Sequence, residues 1–413
     1  MKFKNILILI VLGMCGGTIY LLPYLKYFFY NQMAEATGLS GQDLGFLVTM
    51  YAVINLFVLL PGGILSDRLS SKKCIFFSLL GTSALTVLYA FTYKSYAMSL
   101  LIWGALSFTT IFVAWSAIMK TVRGVGAQAV GTAYSIYYAS NGLTGAFGSF
   151  CVLRVYSALA DGGPGARDSA FFWAVITVAL LTAVVPFLLL YLLRDYRESS
   201  DQGETQRLPT LRDSIAVMKT PVIWLIAVIL FCTYSLYVGL TFFTPYLSYA
   251  FHISDETSGT LTIIRSFVFM SLTPLTGLFA DKIAKSTLRW FLIACPIVAL
   301  SLAGVVWLGD APGRATAVIA LTMLAAFFVC SIYASMFSIV SECRIPMSIA
   351  GTAIGLVSIF SYTPDIVMQP LFGHFVDVNR YGAIFLTLVV MALVSFGVAA
   401  LLAWLNKRPA AGD

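Results

Sequence analysis

Gly63-Ile-Leu-Ser-Asp67-Arg68 and Gly277-Leu-Phe-Ala-Asp281-Lys282 are the two stretches on which the reading of this chain turns. Each closes an apolar run, each carries Gly-x-x-x-Asp followed by a basic residue, and they stand 214 residues apart. Three further pairs keep the same order at nearly the same offset. Pro23-Tyr-Leu-Lys-Tyr27 returns as Pro245-Tyr-Leu-Ser-Tyr249, Leu39-Ser40 with Gly45 returns as Ile253-Ser254 with Gly259, and Gly131-Thr-Ala133 returns as Gly351-Thr-Ala353. Four matches in register describe a tandem duplication with both copies in parallel orientation.

Composition names the solvent of the duplicated unit. Of 413 residues, 60% are hydrophobic and 10% are charged, with a mean hydropathy of +0.91. An average soluble domain has roughly 45–50% apolar and about 25% charged residues. With 25 basic and 18 acidic residues there is too little charge to clothe a water-soluble globule of this length. The net charge of +7 is dispersed in short clusters between apolar runs, which excludes a nucleic-acid-binding face. Seven scattered cysteines and two distant histidines, His252 and His374, offer neither a disulfide framework nor a metal site. The Met1-Lys-Phe-Lys start runs into an apolar stretch with no small-residue cleavage site, so it reads as a retained first helix.

Runs long enough to cross a hydrocarbon core of about 30 Å, which takes about 20 residues as a helix, number twelve. They fall near 5–30, 44–66, 74–93, 96–120, 128–156, 168–194, 220–250, 257–280, 286–308, 313–341, 347–374 and 381–405, and are spans 1 to 12 below. The fold class expected is all-α membrane protein: two six-helix bundles, residues 1–196 and 220–413, joined by a polar linker at 197–219 that contains Glu198, Asp201, Glu204 and Pro209. Cytoplasmic termini put 18 of the 25 Lys and Arg residues on the inner side, as the positive-inside rule prefers.

Twelve spans as six plus six, a central linker and the paired Gly-x-x-x-Asp-Arg/Lys loops together resemble the major facilitator superfamily of secondary transporters. The match covers nearly the whole chain; it departs from the superfamily loop where Leu69-Ser70-Ser71 stands in place of Gly-Arg-Arg/Lys. Gly16-Gly-Thr-Ile-Tyr20 through Lys26, with Ile223-Trp-Leu-Ile-Ala and Gly239-Leu-Thr-Phe-Phe243, resembles a bacterial inner-membrane branch of undefined substrate. The resemblance implies alternating access about a polar site near the bilayer midplane. It also implies that spans 1, 4, 7 and 10 line the cavity. The loop aspartates and basic residues, Asp67, Arg68, Asp281 and Lys282 with Arg123 at the inner end of span 4, would then latch the inner gate.

Charges inside spans cost roughly 2.5–3.5 kcal/mol at a helix centre, so each asks for a role. Arg265 lies 16 residues before Asp281, about 24 Å from the inner face at ~1.5 Å per residue. Asp365 stands at about the same height in span 11 by the same rise. Arg265 offers a planar guanidinium to a substrate anion, and it resembles the helix-8 arginine of nitrate and oxalate carriers. Asp365 is suited to hold Arg265 when the site is empty and to carry a proton when it fills. The alternative for both is an intramembrane ion pair that fixes span 8 to span 11. Tyr20, Tyr24, its repeat counterpart Tyr246, and Trp115 are candidate substrate contacts; packing explains each as well. Lys26 and Arg154 are expected at the outer interface. Gly142, Gly145 and Gly148 form a small-residue stripe for close helix packing. Pro23, Pro245 and Pro364 are expected to bend spans 1, 7 and 11.

No phosphate-binding glycine loop, nucleophile arrangement or paired carboxylate stands in the chain, so no enzyme and no cofactor is expected. Asn141-Gly-Leu-Thr-Gly-Ala-Phe-Gly148 lacks the Gly-Pro element that drug/proton antiporters of the superfamily carry in span 5. The expectation is a monomeric transporter in a bacterial inner membrane, moving a small organic anion with protons. Its rivals are efflux or flipping of an amphipathic, lipid-like compound and, more remotely, a non-transporting membrane receptor.

Overall fold

The computed structural model describes residues 3–125, 130–162, 164–192, 220–269, 285–311, 313–343, 357 and 359–407. Nine helices among these are long and apolar enough to cross a membrane, and Phe3–Ile19 (α1) is a shorter apolar helix. Spans 8 and 11 run partly outside the described residues. The chain divides into two compact units, Met1–Ser200 with Ile253–Ser271, and Asp201–His252 with Leu272–Asp413.

In the first unit, α1 is followed by a 3-10 turn at Leu25–Tyr27 and by α2, Tyr30–Thr37. Span 1 was expected to be one helix over 5–30; it stops at Ile19. Pro23 has no N–H to continue the ladder, and the Pro23 carbonyl turns aside to accept the indole N–H of Trp103 at 3.2 Å. The helices α3 (Gly41–Arg68), α4 (Ser71–Thr92), α5 (Tyr96–Ser107), α6 (Ala114–Val125), α7 (Val130–Leu159) and α8 (Pro164–Leu192) complete the unit up to the linker. A π-helical turn at Phe108–Phe112 joins α5 to α6 inside span 4.

Lipid supplies no hydrophobic drive between helices, so close packing must hold them together, and small residues permit it. A Cβ at Gly13 would lie 2.5 Å from Ser140 Cβ, and one at Gly17 would lie 3.0 Å from the Gly145 nitrogen, so α1 rides almost directly on α7. Gly148, from the expected stripe, packs against Leu21 in the same contact. Gly62 sits so near the Phe112 carbonyl that a methyl group there would overlap it. Gly63, the first residue of the loop motif, has Ser116 beside it.

Beyond the linker, α9 (Pro221–Gly239), a 3-10 turn at Leu240–Phe242 and α10 (Phe243–Phe251) build span 7. The irregularity lies one turn before Pro245, at the carbonyl its ring leaves without a donor. Next come α11 (Asp255–Ile263) and a π-helical turn at Ile264–Val268. The described helices that follow are α12 (Thr287–Leu308), α13 (Ala315–Ser335), α14 (Ser338–Glu342), α15 (Pro364–Asp377) and α16 (Tyr381–Lys407). In the second unit α9, α12, α13, α15 and α16 pack together.

The duplication shows in backbone detail. Gly38 (φ 68°) and His252 (φ 51°), 214 residues apart, each end a helix in the left-handed region. Two residues later Ser40 and Ser254 each cap the next helix, accepting from the N–H of Asp43 at 3.0 Å and of Thr257 at 3.4 Å. His252 holds a conformation that glycine takes at no cost, and the repeat geometry imposes it there.

Candidate functional site

In the second unit the site is built at a helix start. Pro364 occupies the first position of α15 and cannot donate to the Phe360 carbonyl, which instead accepts the N–H of Thr363 at 3.3 Å and its hydroxyl at 2.6 Å. That break places Asp365 in the first turn of α15, where helix N–H groups favour negative charge. Asp365 is 4% exposed, and the phenol of Tyr234 on α9 donates to its Oδ2 at 2.6 Å.

Around this bond stand three more tyrosines. The rings of Tyr237 and Tyr333 stack with centroids 4.2 Å apart and planes at 8°. Tyr234 lies 6.0 Å from Tyr237 and 5.7 Å from Tyr333, and Tyr362 meets Tyr234 edge-on at 5.0 Å. The set is graded: Tyr234 and Asp365 are buried, Tyr237 and Tyr333 are half-buried, and Tyr362 is 37% exposed. The sequence reading singled out Asp365 and missed these four. Its available signal was Tyr234-x-x-Tyr237, two phenols on one face of span 7.

In the first unit, Arg265 sits in the π-helical turn Ile264–Val268. Such a turn carries one residue more than an α turn and re-aims the side chains after it, and it recurs at functional sites. Arg265 is fully buried, and its Nη2 donates to Thr262 Oγ1 at 3.0 Å. This stretch packs on α7, with a Cβ at Gly259 coming within 2.9 Å of Leu153. Arg265 therefore belongs to the first unit and Asp365 to the second.

The first unit also holds a ladder of phenols. Tyr20 and Tyr24 keep one-turn spacing through the Tyr24 N–H to Tyr20 carbonyl bond of 3.2 Å, with ring centroids 6.2 Å apart. Tyr24 meets Tyr51 edge-on at 5.8 Å, and the Tyr51 hydroxyl bonds Thr110 at 2.7 Å in the other π-helical turn. Trp115 is half-buried at the start of α6. Lys26, expected among headgroups, is 1% exposed, with its Nζ 5.5 Å from the Tyr30 ring centroid. The first helix ends at Ile19, and Leu25, Lys26 and Tyr27 are all buried in the 3-10 turn that follows. Arg154 is exposed over the Phe150 ring, as an interfacial arginine would be.

The remaining candidates stand on other elements. Tyr246 is buried on α10 with its ring 4.7 Å from Phe385 and its hydroxyl donating to the Gly309 carbonyl at 3.4 Å. Arg68 ends α3 and Arg123 lies in the last turn of α6, both exposed. Asp281, Lys282 and the Asp67 side chain lie outside the described residues.

Comparison with known proteins gives this arrangement its family. The model of the Major Facilitator Superfamily matches residues 6–364. The chain belongs to the major facilitator superfamily. It is a multi-pass membrane transporter and not an enzyme. It is 28% identical over 411 residues to the inner membrane protein YihN of Escherichia coli K12, covering 96% of this chain and 94% of that one. It is 23% identical over 401 residues to YqcE of the same organism, covering 96% and 93%. Among solved structures, a bacterial homologue of the human lysosomal transporter Spinster, inward-facing and unoccupied, superposes with a TM-score of 0.76 at 14% identity over 100% of both chains. The nucleoside transporter NupG superposes with a TM-score of 0.69 at 15% identity, covering 99% of this chain and 100% of that one. At such identities these superfamily structures speak for the fold alone.

Proposed function

We propose that this transporter moves a small organic anion across a bacterial cytoplasmic membrane by proton symport, with both termini cytoplasmic and the monomer as the working unit. The observation that carries the reading is the buried bond from Tyr234 to Asp365. A carboxylate inside a span is costly unless it is held by a donor or protonated, and the bond from a neutral phenol can be exchanged for a proton. Arg265, buried on a π-helical turn, is the anion contact, since its planar fork matches carboxylate, phosphate or sulfonate oxygens. Tyr20, Tyr24, Tyr246 and Trp115 contribute further substrate contacts, and Asp67, Arg68, Asp281, Lys282 and Arg123 serve the inner gate. In this reading the chain works as an N-terminal bundle, 1–196, and a C-terminal bundle, 220–413, joined by the linker 197–219.

The test is reconstitution in proteoliposomes with an internal pH dye. Sugar acids, hydroxy acids, sugar phosphates and neutral sugars are added in turn to the wild type, Arg265→Gln and Asp365→Asn. An acid that drives proton entry through the wild type and through neither variant supports the reading. Proton entry that persists in both variants removes Arg265 and Asp365 from it. Movement of amphiphiles with no response to any acid favours export or flipping of a lipid-like compound instead.

A further inference from the structure

The start of α12 is closed by a residue from another helix. Ser286 is its N-cap and accepts the Arg289 N–H at 3.2 Å. A capping box would place Glu or Gln at position 289, and this chain has arginine there. Glu342, the last residue of α14, supplies the carboxylate instead: the Ser286 hydroxyl donates to its Oε1, and the Leu288 N–H donates to its Oε2 at 3.2 Å. The N-terminal end of a helix favours that negative charge. The Glu342 carbonyl accepts the side-chain amide of Asn406, near the end of α16, at 3.3 Å. One residue thus ties the end of span 10 to the start of span 9 and the end of span 12, all inside the second unit. The corresponding end of span 4, Val122-Arg-Gly-Val125, carries no carboxylate; there Asn5 donates to the Val125 carbonyl at 3.1 Å.

Just before α14 the helix is weaker. The Ser335 hydroxyl donates to the carbonyls of Ser331 at 3.2 Å and Ile332 at 3.3 Å. The Ile332 carbonyl is the one an α-helix offers to the Met336 N–H, which bonds Tyr333 instead at 3.4 Å. The N–H groups of Ile339 and Val340 likewise reach back three residues, to Met336 at 3.3 Å and Phe337 at 3.2 Å. Beyond them Cys343 resumes the four-residue bond, to Ile339 at 3.0 Å. Such a 3-10 stretch inside a helical span has poorer bond geometry and commonly marks a hinge. Tyr333 and Phe337, on either side of it, lie against Tyr237 and Tyr362 with ring centroids 4.2 Å and 6.3 Å apart. We infer that span 10 is a jointed rod: Glu342 pins its last turn to the start of span 9, and bending is confined to Ser335–Phe337, next to the rings around Asp365. This goes beyond the substrate reading and holds whichever compound is moved.

Cys343 is a native reporter of the pin. It is 8% exposed, the Asn406 amide stands 4.0 Å from its sulfur, and burial pushes its thiol up to about 11, so it stays protonated and slow to alkylate while the pin is closed. The purified protein in lipid nanodiscs is treated with N-ethylmaleimide, and labelling of Cys343 and amide exchange at single residues are read by mass spectrometry with no substrate present. Glu342→Gln leaves one side-chain acceptor for two donors, so Cys343 should label at least about tenfold faster than in the wild type, with faster exchange at Leu288 and unchanged exchange at Met336. Ser286→Ala, which leaves span 10 untouched, should shift labelling and Leu288 exchange in the same direction. Ser335→Ala releases the Ile332 carbonyl to the Met336 N–H and should slow exchange at Met336 about tenfold, with Cys343 labelling within about twofold of the wild type. Cys295, buried within α12, should stay at background in every variant. Cys343 labelling at the wild-type rate in both Glu342→Gln and Ser286→Ala overturns the pin, as does labelling of Cys295 in step with Cys343. Exchange at Met336 that Ser335→Ala leaves unchanged, or that Glu342→Gln speeds as much as at Leu288, overturns the joint. None of these readouts needs a transported acid, so they stand or fall apart from the proton-symport test.

Discussion

Arg265 in the first unit and Asp365 in the second are both buried charges at irregular turns, yet they are held differently. Arg265 lies in a π-helical turn, and its Nη2 donates to the hydroxyl of Thr262, three residues earlier in the chain. Asp365 lies in a first helical turn opened by a proline and takes its bond from Tyr234, a residue far away in sequence on α9. The bond from Arg265 to Thr262 is local, and the bond from Tyr234 to Asp365 crosses between helices. A local device is suited to present a fixed charge; a bond across helices is suited to be made and broken.

That contrast gives an order of expected effects. The largest belongs to Asp365→Asn, which leaves nothing to titrate and should bring gradient-driven uptake to background in the proteoliposome pH assay. Arg265→Lys should be nearly as severe for acid uptake, because an ammonium keeps the charge and loses the fork, and a variant with uptake near the wild type would show that charge alone suffices. Tyr234→Phe removes the donor and keeps the ring. A hydrogen bond to a charged group is worth ~1.5–3 kcal/mol, so the dependence of uptake on external pH should move by about one to two pH units, and an unchanged profile would remove Tyr234 from the site.

Smaller effects test the scaffold. Gly62→Ala forces a methyl group into the Phe112 carbonyl in the π-helical turn of span 4 and should cost about 1–3 kcal/mol, read as a lower unfolding temperature in detergent. The smallest belongs to the turn between α4 and α5, where Lys94 donates to Asp168 at 2.5 Å. That bond holds the Lys94 pKa above its usual value. A raised lysine contributes fully below the unfolded-state pKa and loses the contribution only as pH climbs through the folded value. Both groups are exposed, so Lys94→Met should leave the unfolding temperature within replicate scatter from pH 6 to 8.

The fold was legible because its signals are repeated and one-dimensional. Long apolar runs, Gly63 to Arg68 and its copy at Gly277 to Lys282, and the Ser40 and Ser254 caps need no tertiary contact to be read. Arg265 and Asp365 were legible for a similar reason, as charges in apolar surroundings. Tyr234, Tyr237, Tyr333 and Tyr362 were not, since 21 tyrosines are spread along the chain and only the packing of α9, α13 and the segment before α15 gathers four. The π-helical turns at Phe108–Phe112 and Ile264–Val268 leave no mark in hydropathy. Lys26 was misplaced because counting residues along an unbroken helix overlooked the break after Ile19.

The most direct test of the central claim separates accumulation from exchange in Asp365→Asn. With a transported acid on both sides of the proteoliposome membrane, labelled acid should still exchange across the variant, because exchange needs the anion contact and not a travelling proton. With the acid outside only and a proton gradient imposed, the same variant should accumulate none. Accumulation by Asp365→Asn at the wild-type level, driven by that gradient, would contradict the assignment of the coupling proton to Asp365.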